Sequence, residues 1–350
     1  MSTMKLTAGS GGGSISLHGP TSSGSDADFL AANGDVTVTG NLTVNGNING
    51  GMNRNLIING AMQVAQRGTS STTENAYVTV DRWKETVSGT EEANTKTQHT
   101  LTSSDTGPWE KGLRYSWHIQ NGNQTGGFGS DHYLHLEYQV EARDLATSGW
   151  DYTSSSSYIT LSFWVKSSVA QTFHGYIATN DGTSWAYAFS TGALTANTWK
   201  KVEVTIPGNS NLTVNSDNGN GLTVAPISYW GTDATTSGRG TGWLALSGTN
   251  RTPDATSTWW TTNDATLEIT GVQLEVGSVA SAFEHRLYHD ELLRCQRYYY
   301  VATLHDNGNV LAYIGPGVNW SSTDARVDIT LPVKMRGTPS LEKVVGLNYF

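Results

Sequence analysis

A chain of 350 residues is long enough for two or three domains, and its composition limits what they can be. The formal net charge is −9 and only 15% of residues are charged, which argues against a nucleic-acid partner, because phosphate backbones select clustered Lys and Arg. The single cysteine, Cys295, excludes an intramolecular disulfide, so we expect stability to come from core burial and oligomerisation. No apolar run follows Lys5, and none approaches the roughly 18 residues of a membrane-spanning helix, so we expect neither a signal peptide nor membrane insertion.

Residues 1–33 are rich in glycine and serine and poor in residues that could form a core. Such a segment becomes ordered only when it docks onto another molecule. We therefore interpret residues 1–33 as a segment that attaches the chain to another protein.

Residues 34–50 contain a repeat in which Gly34, Gly40 and Gly46 recur at every sixth position, each followed by Asp or Asn. Between the glycines, apolar residues alternate with Thr or Asn, as in a strand with one buried face. A ribbon this thin cannot bury its apolar row alone, so it needs neighbouring copies, and three chains around one axis are the simplest closed arrangement. We predict a trimeric fibre segment over residues 34–51; the alternative is a flexible Gly/Asn-rich linker. The predicted trimerisation residues are Val36, Val38, Leu42, Val44 and Ile48.

Beyond the repeat, short strand-like runs recur with turn signals between them, in a sequence with 39 glycines, 12 tryptophans and 15 tyrosines. The clearest run is 158–166, in which Ile159, Leu161, Phe163 and Val165 form one face. Many short strands separated by Gly/Ser/Asn clusters predict a mainly β fold, a β-sandwich or jelly roll, over residues 52–284. The predicted strands are 113–119, 133–140, 158–166, 172–179, 185–189, 199–206, 243–246 and 267–274.

One short helix is predicted late in the chain, within a helical connector that spans residues 285–300. Ser281 and Glu284 have the spacing of a capping box, which marks the start of a helix. The residues that follow return to alternating β texture, so we predict a small C-terminal β domain over residues 301–350.

Several sequence pieces, taken together and in order, resemble a signature of bacteriophage tail-fibre proteins. The resemblance spans about residues 55–340, and the full set is specific although any single piece is weak. The pieces are NLIING at 55–60, QRG at 66–68, DRW at 81–83, LSFWVKSS at 161–168, TGVQLEVGS at 270–278, FEHR at 283–286, EL at 291–292, CQRYY at 295–299 and LPVKMRGTP at 331–339.

The resemblance implies a trimeric fibre mounted on a virion, with a central domain like a carbohydrate-binding jelly roll. It implies that the protein is assembled in the host cytoplasm, that residues 1–33 bind another virion protein, and that the fibre recognises a host-surface polysaccharide during adsorption. Alternatives of the same class are a capsid fibre or decoration, or a connector without receptor binding. An alternative of a different class is a polysaccharide depolymerase.

Aromatic residues are the best candidates for a sugar-binding surface, because saccharide C–H faces stack on Trp and Tyr rings. Trp259 and Trp260 lie in polar surroundings, and if they lie in a strand at least one of them is exposed. The alternative is that these rings fill the core of the sandwich. The candidates are Trp185, Tyr187, Tyr229, Trp230, Trp259 and Trp260.

We expect no catalytic residue, no metal and no cofactor. His135, Glu137 and Glu141 share one face of a predicted strand, so they could form a metal site or an acid/base pair. The alternative is that they form a polar outer face of a sheet. The single cysteine, Cys295, lies on the apolar stripe of the predicted helix, which favours a buried structural role over a role as a nucleophile.

Overall fold

A computed structural model describes residues 53–236, 238–301, 316–321 and 325–340. The attachment segment (1–33) and the trimerisation residues Val36, Val38, Leu42, Val44 and Ile48 lie outside the described residues, so these assignments stay predictions. Among the described residues, no helix is long and apolar enough to cross a membrane.

The described chain is mainly β and forms two antiparallel six-stranded sheets, as the sequence predicts. Sheet A has the order β1-β3-β4-β12-β6-β9, and sheet B has the order β11-β8-β7-β10-β5-β2. The last two strands form a separate two-stranded hairpin. The strands are β1 (Ser70–Ser71), β2 (Trp83–Ser88), β3 (Thr95–Thr100), β4 (Tyr115–Gln120), β5 (Tyr133–Glu141), β6 (Tyr158–Ser167), β7 (Thr172–Thr179), β8 (Trp185–Ala193), β9 (Lys200–Pro207), β10 (Asn220–Trp230), β11 (Gly242–Ala245), β12 (Thr266–Val276), β13 (Gly317–Asn319) and β14 (Ala325–Val327); the helices are α1 (Ala142–Ala146) and α2 (Tyr288–Gln296).

The core lies between the inner faces of the two sheets, where every second residue of a strand is apolar. Ile159, Leu161, Phe163 and Val165 of β6 are all fully buried, as their alternation predicts. Removing a side chain of this size from water is worth about 1.5–3 kcal/mol. The alternation therefore decides which face of each strand turns inward.

A buried ion pair joins the two sheets at one edge. Nζ of Lys96 on β3 lies 2.8 Å from Oε2 of Glu85 on β2, and neither side chain reaches solvent. Lys96 also donates to the backbone oxygen of Asn94 at 2.8 Å, while the Asn94 amide donates to Glu85 at 2.9 Å. These bonds compensate the desolvation of both charges, which would otherwise be prohibitive.

The capping-box prediction is wrong. Helix α2 begins at Tyr288, with Leu287 at the N-cap and no side-chain cap. Ser281 instead donates to the Glu275 carboxylate at 2.6 Å, and Glu284 accepts the backbone N–H of Asn55 at 2.7 Å. Ser281 thus ties the segment after β12 back to that strand, and Glu284 links β12 to the incoming segment at Asn55; their sequence spacing reveals neither role.

Candidate carbohydrate-binding face

The outer face of sheet B carries a row of polar side chains that crosses five neighbouring strands, which we call the His135 row. His135 on β5 pairs with Thr86 on β2 and with Ser228 on β10, and Ser228 pairs with His174 on β7. His174 in turn pairs with Ser190 on β8. The chain neighbours of these residues point into the core, so the row faces outward.

An irregularity in β10 sets which side chains reach this face. The register of β10 shifts between Val224 and Ile227, next to Pro226, a residue that strands tolerate at bulges. Because one extra residue reverses the alternation, Ile227 and Tyr229 turn into the core. Ser228 and Trp230 consequently point to the outer face.

Three aromatic rings surround His135. The Trp230 ring centroid lies 4.8 Å from that of His135 and 4.9 Å from that of Tyr133. The Tyr176 hydroxyl and Nδ1 of His135 are 3.2 Å apart. Aromatic faces beside hydrogen-bonding groups are the two features that recognition of a sugar ring requires.

The charged groups near His135 include Lys84, Glu137 and Arg251. Nζ of Lys84 lies 2.7 Å from Oε1 of Glu137, while Nδ1 of His135 lies 3.7 Å from Oε2 of the same carboxylate. Burial, together with the charges of Arg251 and Lys84, lowers the pKa of His135 to about 3, so its ring is uncharged at neutral pH.

The sequence grouping of His135, Glu137 and Glu141 is only partly realised. His135 and Glu137 share the outer face, but Glu141 receives two hydrogen bonds of 2.8 Å from Arg297 and one from Tyr298. Among the described residues, no group of three or more His, Cys, Asp or Glu side chains is arranged to hold a metal ion. The polar-outer-face alternative describes His135 and Glu137.

Four buried polar atoms on this face have no hydrogen-bond partner within the described chain: Thr86 Oγ1, His174 Nδ1, Ser228 Oγ and Trp230 Nε1. A buried polar atom left unpaired costs about 1–3 kcal/mol. Three of the four atoms belong to the His135 row, and Trp230 adjoins it. A ligand rich in hydroxyl groups would gain by pairing with them once the side chains that cover these atoms move aside.

The loop that follows β10, residues 231–256 without position 237, lies against part of the face. Ala234 and Leu246 pack on an apolar cluster formed by Tyr176, Ala178, Ala186, Ala225 and Trp230. The guanidinium of Arg251 lies 4.5 Å from the Trp230 ring centroid. Lys84, Thr86 and Gln139, at the opposite side of the face, are half-buried and keep contact with solvent.

This loop also contains a cleft of about 370 Å³. The cleft opens beside β11, and its lining is mostly hydroxyl, amide and guanidinium groups. The lining residues are Thr236, Gly238, Arg239, Leu244, Ser247, Thr249 and Asn250.

Trp259, Trp260 and Tyr229 lie in the core and do not present a surface. Their side chains are 1%, 0% and 2% exposed, so the expectation that Trp259 or Trp260 is exposed is wrong. The two tryptophans lie in a turn, not in a strand, so adjacent side chains need not point to opposite sides. Trp260 stacks parallel to Tyr229, with centroids 6.0 Å apart, while Trp259 donates to the Thr266 oxygen at 3.0 Å.

Trp185 and Tyr187 share one face of β8, but it is the inner face. Both are half-buried and pack against the core, and the Tyr187 ring lies 5.5 Å from that of Trp243 on β11. Trp243 donates to the Pro207 oxygen of β9 at 2.7 Å, which closes the sandwich at this edge. Of the six aromatic candidates, Trp230 alone lies on the outer face.

Sequence reasoning missed Tyr133, Tyr176, Ser228, His174 and Arg251. The alternation Tyr-Leu-His-Leu-Glu at 133–137 is a usable signal, because it marks three outward residues on β5, namely Tyr133, His135 and Glu137. The register that brings His174 and Ser228 beside His135 depends on strands distant in sequence, so no local pattern shows it.

No protein-family model and no curated protein matches this chain. Among solved structures, it is similar to the enzymatically active domain of tailspike protein 4 of bacteriophage CBA120 (12% identity, 64% of this chain, 22% of that chain, TM-score 0.33). It is also similar to the N-terminal cellulose-binding domain of a Cellulomonas fimi β-1,4-glucanase (11% identity, 62% of this chain, 99% of that chain, TM-score 0.30). A third similar structure is the family 11 carbohydrate-binding module of a Clostridium thermocellum cellulosomal cellulase (14% identity, 62% of this chain, 98% of that chain, TM-score 0.28). The tailspike match spans less than a quarter of that chain, and at these scores the likenesses say nothing about function.

Proposed function

We propose that this chain is a non-enzymatic, carbohydrate-binding protein of a phage tail fibre, and that the outer face of sheet B binds host-surface glycan. The observation that carries the proposal is the His135 row, with its unpaired polar atoms beside aromatic rings. Sugar hydroxyls can pair with those atoms once the side chains that cover them move aside, while the apolar side of a pyranose ring can cover the half-buried ring of Tyr133.

The state of Glu137 supports binding over cleavage. Hydrolysis of a glycosidic bond needs two carboxyl groups that flank the bond, with one of them free to donate a proton. Glu137 is engaged by Lys84 at 2.7 Å, and Glu141 is engaged by Arg297. Neither carboxylate is placed as a free acid beside the His135 row.

The fibre part of the proposal rests on the sequence. The pieces between residues 55 and 340 resemble tail-fibre proteins, and the repeat at 34–50 favours a homotrimer. Residues 1–33 would attach the trimer to another virion protein. Three copies of a weak glycan site on one particle would give useful avidity at the host surface.

The test is binding of the full chain to surface polysaccharide of candidate host bacteria, with variants that remove single hydroxyl groups. Thr86→Val and Ser228→Ala should each weaken binding about 3- to 10-fold, because each removes one hydrogen bond to the ligand. Since each also removes an unpaired buried hydroxyl, the melting temperature should stay constant or rise.

Thr97→Val, the same change on the outer face of sheet A, is the matched control and should leave binding unchanged. Equal binding by all variants would place the site elsewhere. No saturable binding to any host polysaccharide would reject glycan recognition. Release of oligosaccharide during incubation would reject the non-enzymatic role.

A further inference from the structure

We infer that the glycan bound on the outer face of sheet B is acidic, and that Arg251 binds its carboxylate or phosphate group. This inference rests on the proposed function and adds the chemical class of the ligand. It comes from the charges around the His135 row and from the position of one arginine.

Arg251 is held above the face by its own backbone. Its N–H donates to the Ala234 oxygen at 2.9 Å, and the neighbouring Thr252 forms a bridge with Thr235. The guanidinium stacks over Trp230 at 4.5 Å and keeps part of its surface in solvent. An arginine on an aromatic ring is preorganised, so its planar donors lose little entropy when they bind an anion.

The charge of Arg251 is not neutralised by the protein. In the part of the chain that the structure describes, no carboxylate oxygen lies within 4.0 Å of its guanidinium nitrogens. The two acidic residues of the same loop, Asp233 and Asp254, accept hydrogen bonds from hydroxyl groups and not from Arg251. Asp233 accepts the Ser130 hydroxyl at 3.1 Å, and Asp254 accepts the Thr235 hydroxyl at 2.6 Å.

A second cation in the loop adds to the positive potential. Arg239 is buried and donates to four backbone oxygens, those of Ala186, Gly240, Gly242 and Asn250, at 2.7–3.3 Å. No carboxylate of the described chain lies within 4.0 Å of it, and its own donors are occupied. Arg239 therefore raises the positive electrostatic potential near the face but is not expected to contact the ligand.

The remaining charged groups on the face are paired or few, and one of them is Asp254, whose negative charge acts on His174. Lys84 is paired with Glu137, and the His135 ring is uncharged at neutral pH. The two positive charges of Arg251 and Arg239 outweigh the negative charge of Asp254, in a chain whose net charge is −9. A half-buried, unneutralised guanidinium beside unpaired hydroxyl groups fits a sugar that bears an anion.

The experiment is binding of the full chain to an array of matched neutral, carboxylated and phosphorylated glycans, followed by titration of the bound glycans and their neutral counterparts. We expect the chain to bind an acidic glycan at least 10-fold more tightly than its neutral counterpart at 0.15 M salt. Arg251→Gln should abolish that preference, so that the acidic glycan and its neutral counterpart bind with about equal affinity. Arg251→Lys keeps the charge but loses the planar guanidinium that binds an anion through two hydrogen bonds, so its preference for the acidic glycan should be intermediate.

Arg114→Gln is the matched control, since Arg114 also stacks on a tryptophan, Trp109, at 3.8 Å but lies outside the face. It should keep the full preference for the acidic glycan. Binding to neutral glycans alone overturns the acidic ligand, and an unchanged preference in Arg251→Gln overturns the role of Arg251; in both cases the proposed face can still stand. Binding to no glycan on the array rejects the proposed function and this inference together.

Discussion

Tyr229 and Trp230 are adjacent in the chain but have different partners, and the difference places the candidate site. Tyr229 stacks on Trp260 in the core, whereas Trp230, 7% exposed, contacts His135 and Arg251 on the outer face. The irregularity near Pro226 produces this arrangement by shifting the alternation of β10 by one residue. The single extra residue in β10 thereby places the Tyr229 ring in the core and the Trp230 ring on the outer face.

Trp260→Ala should destabilise the protein without a direct effect on glycan binding. Trp260 is fully buried, with the Phe128 ring 5.0 Å away, so truncation removes apolar contacts and leaves a cavity. We expect a loss of about 3–5 kcal/mol and a clear drop in melting temperature, measured by thermal unfolding.

Trp320→Ala is the control for that change, because Trp320 is 66% exposed and should cost less than about 0.5 kcal/mol. Similar small losses for both variants would contradict the buried position of Trp260. A loss of glycan binding per folded molecule in Trp260→Ala would indicate that Trp260 takes part in glycan binding.

Composition and alternation predict that aromatic residues stabilise this fold but do not say which of them face out. Trp259 and Trp260 occupy a polar stretch, yet the turn that holds them folds back over the core, and Asn121 donates to the Trp260 oxygen at 2.6 Å. That closure depends on contacts more than a hundred residues apart in sequence, which a local pattern cannot encode.

At the scale of elements, the segment that enters the sandwich is held by the residues just before and within helix α2. Arg286 donates to the backbone oxygen of Ile57 at 3.1 Å and to that of Asn55. It also pairs with Glu284 at 3.2 Å and with Glu291 at 3.6 Å, while Glu291 accepts the N–H of Asn59. Pieces of the tail-fibre-like signature that are far apart in sequence thus meet in one polar network.

Arg286→Gln should loosen this segment strongly. The change leaves two carboxylates without their cation, in a network where Arg286 is largely buried, so we expect a loss of about 3 kcal/mol. Denaturant unfolding measures the loss, and hydrogen exchange should show faster exchange at the amides of Asn55 and Asn59.

Arg294→Gln, within helix α2, is the matched comparison. Arg294 is half-buried and donates to the side chain of the exposed Asn53 at 2.6 Å, a contact open to solvent, so its loss should cost less than about 1 kcal/mol. Equal losses in the two variants would mean that Arg286 holds the segment no better than a surface contact does.

The elements themselves were predictable where one face alternates cleanly. The run 172–179 coincides with β7, and 158–166 falls one residue short of β6. The sequence analysis missed β2, β3 and β10; β10 contains Pro226 and Gly221, which interrupt the alternation that marks a strand. Because β10 is the strand that carries Ser228 and Trp230, the same omission hid the His135 row.

For the whole molecule, the affinity of one face and the number of faces are separate quantities. The His135 row and the adjoining Trp230 offer four unpaired polar atoms on the surface of a sheet, which favours modest affinity for a single glycan. A particle that displays three faces converts weak sites into durable attachment, provided that the glycans are dense enough for simultaneous binding. Trimerisation through residues 34–51 would supply that multiplicity.

The purified chain should therefore sediment as a trimer, at three times its mass of 37.6 kDa. Replacing Leu42 and Val44 by Asp places charges in the predicted apolar row, so the double variant should sediment as a monomer because buried unpaired charges are not tolerated. The two forms should bind a soluble oligosaccharide with the same affinity per chain, whereas attachment to a glycan-coated surface should weaken about 100-fold or more in the monomer. Sedimentation velocity and surface-binding kinetics on the same preparations separate the two effects. A wild-type monomer at micromolar concentration would remove the basis for the trimeric fibre, and equal surface attachment by both forms would show that avidity plays no part in recognition.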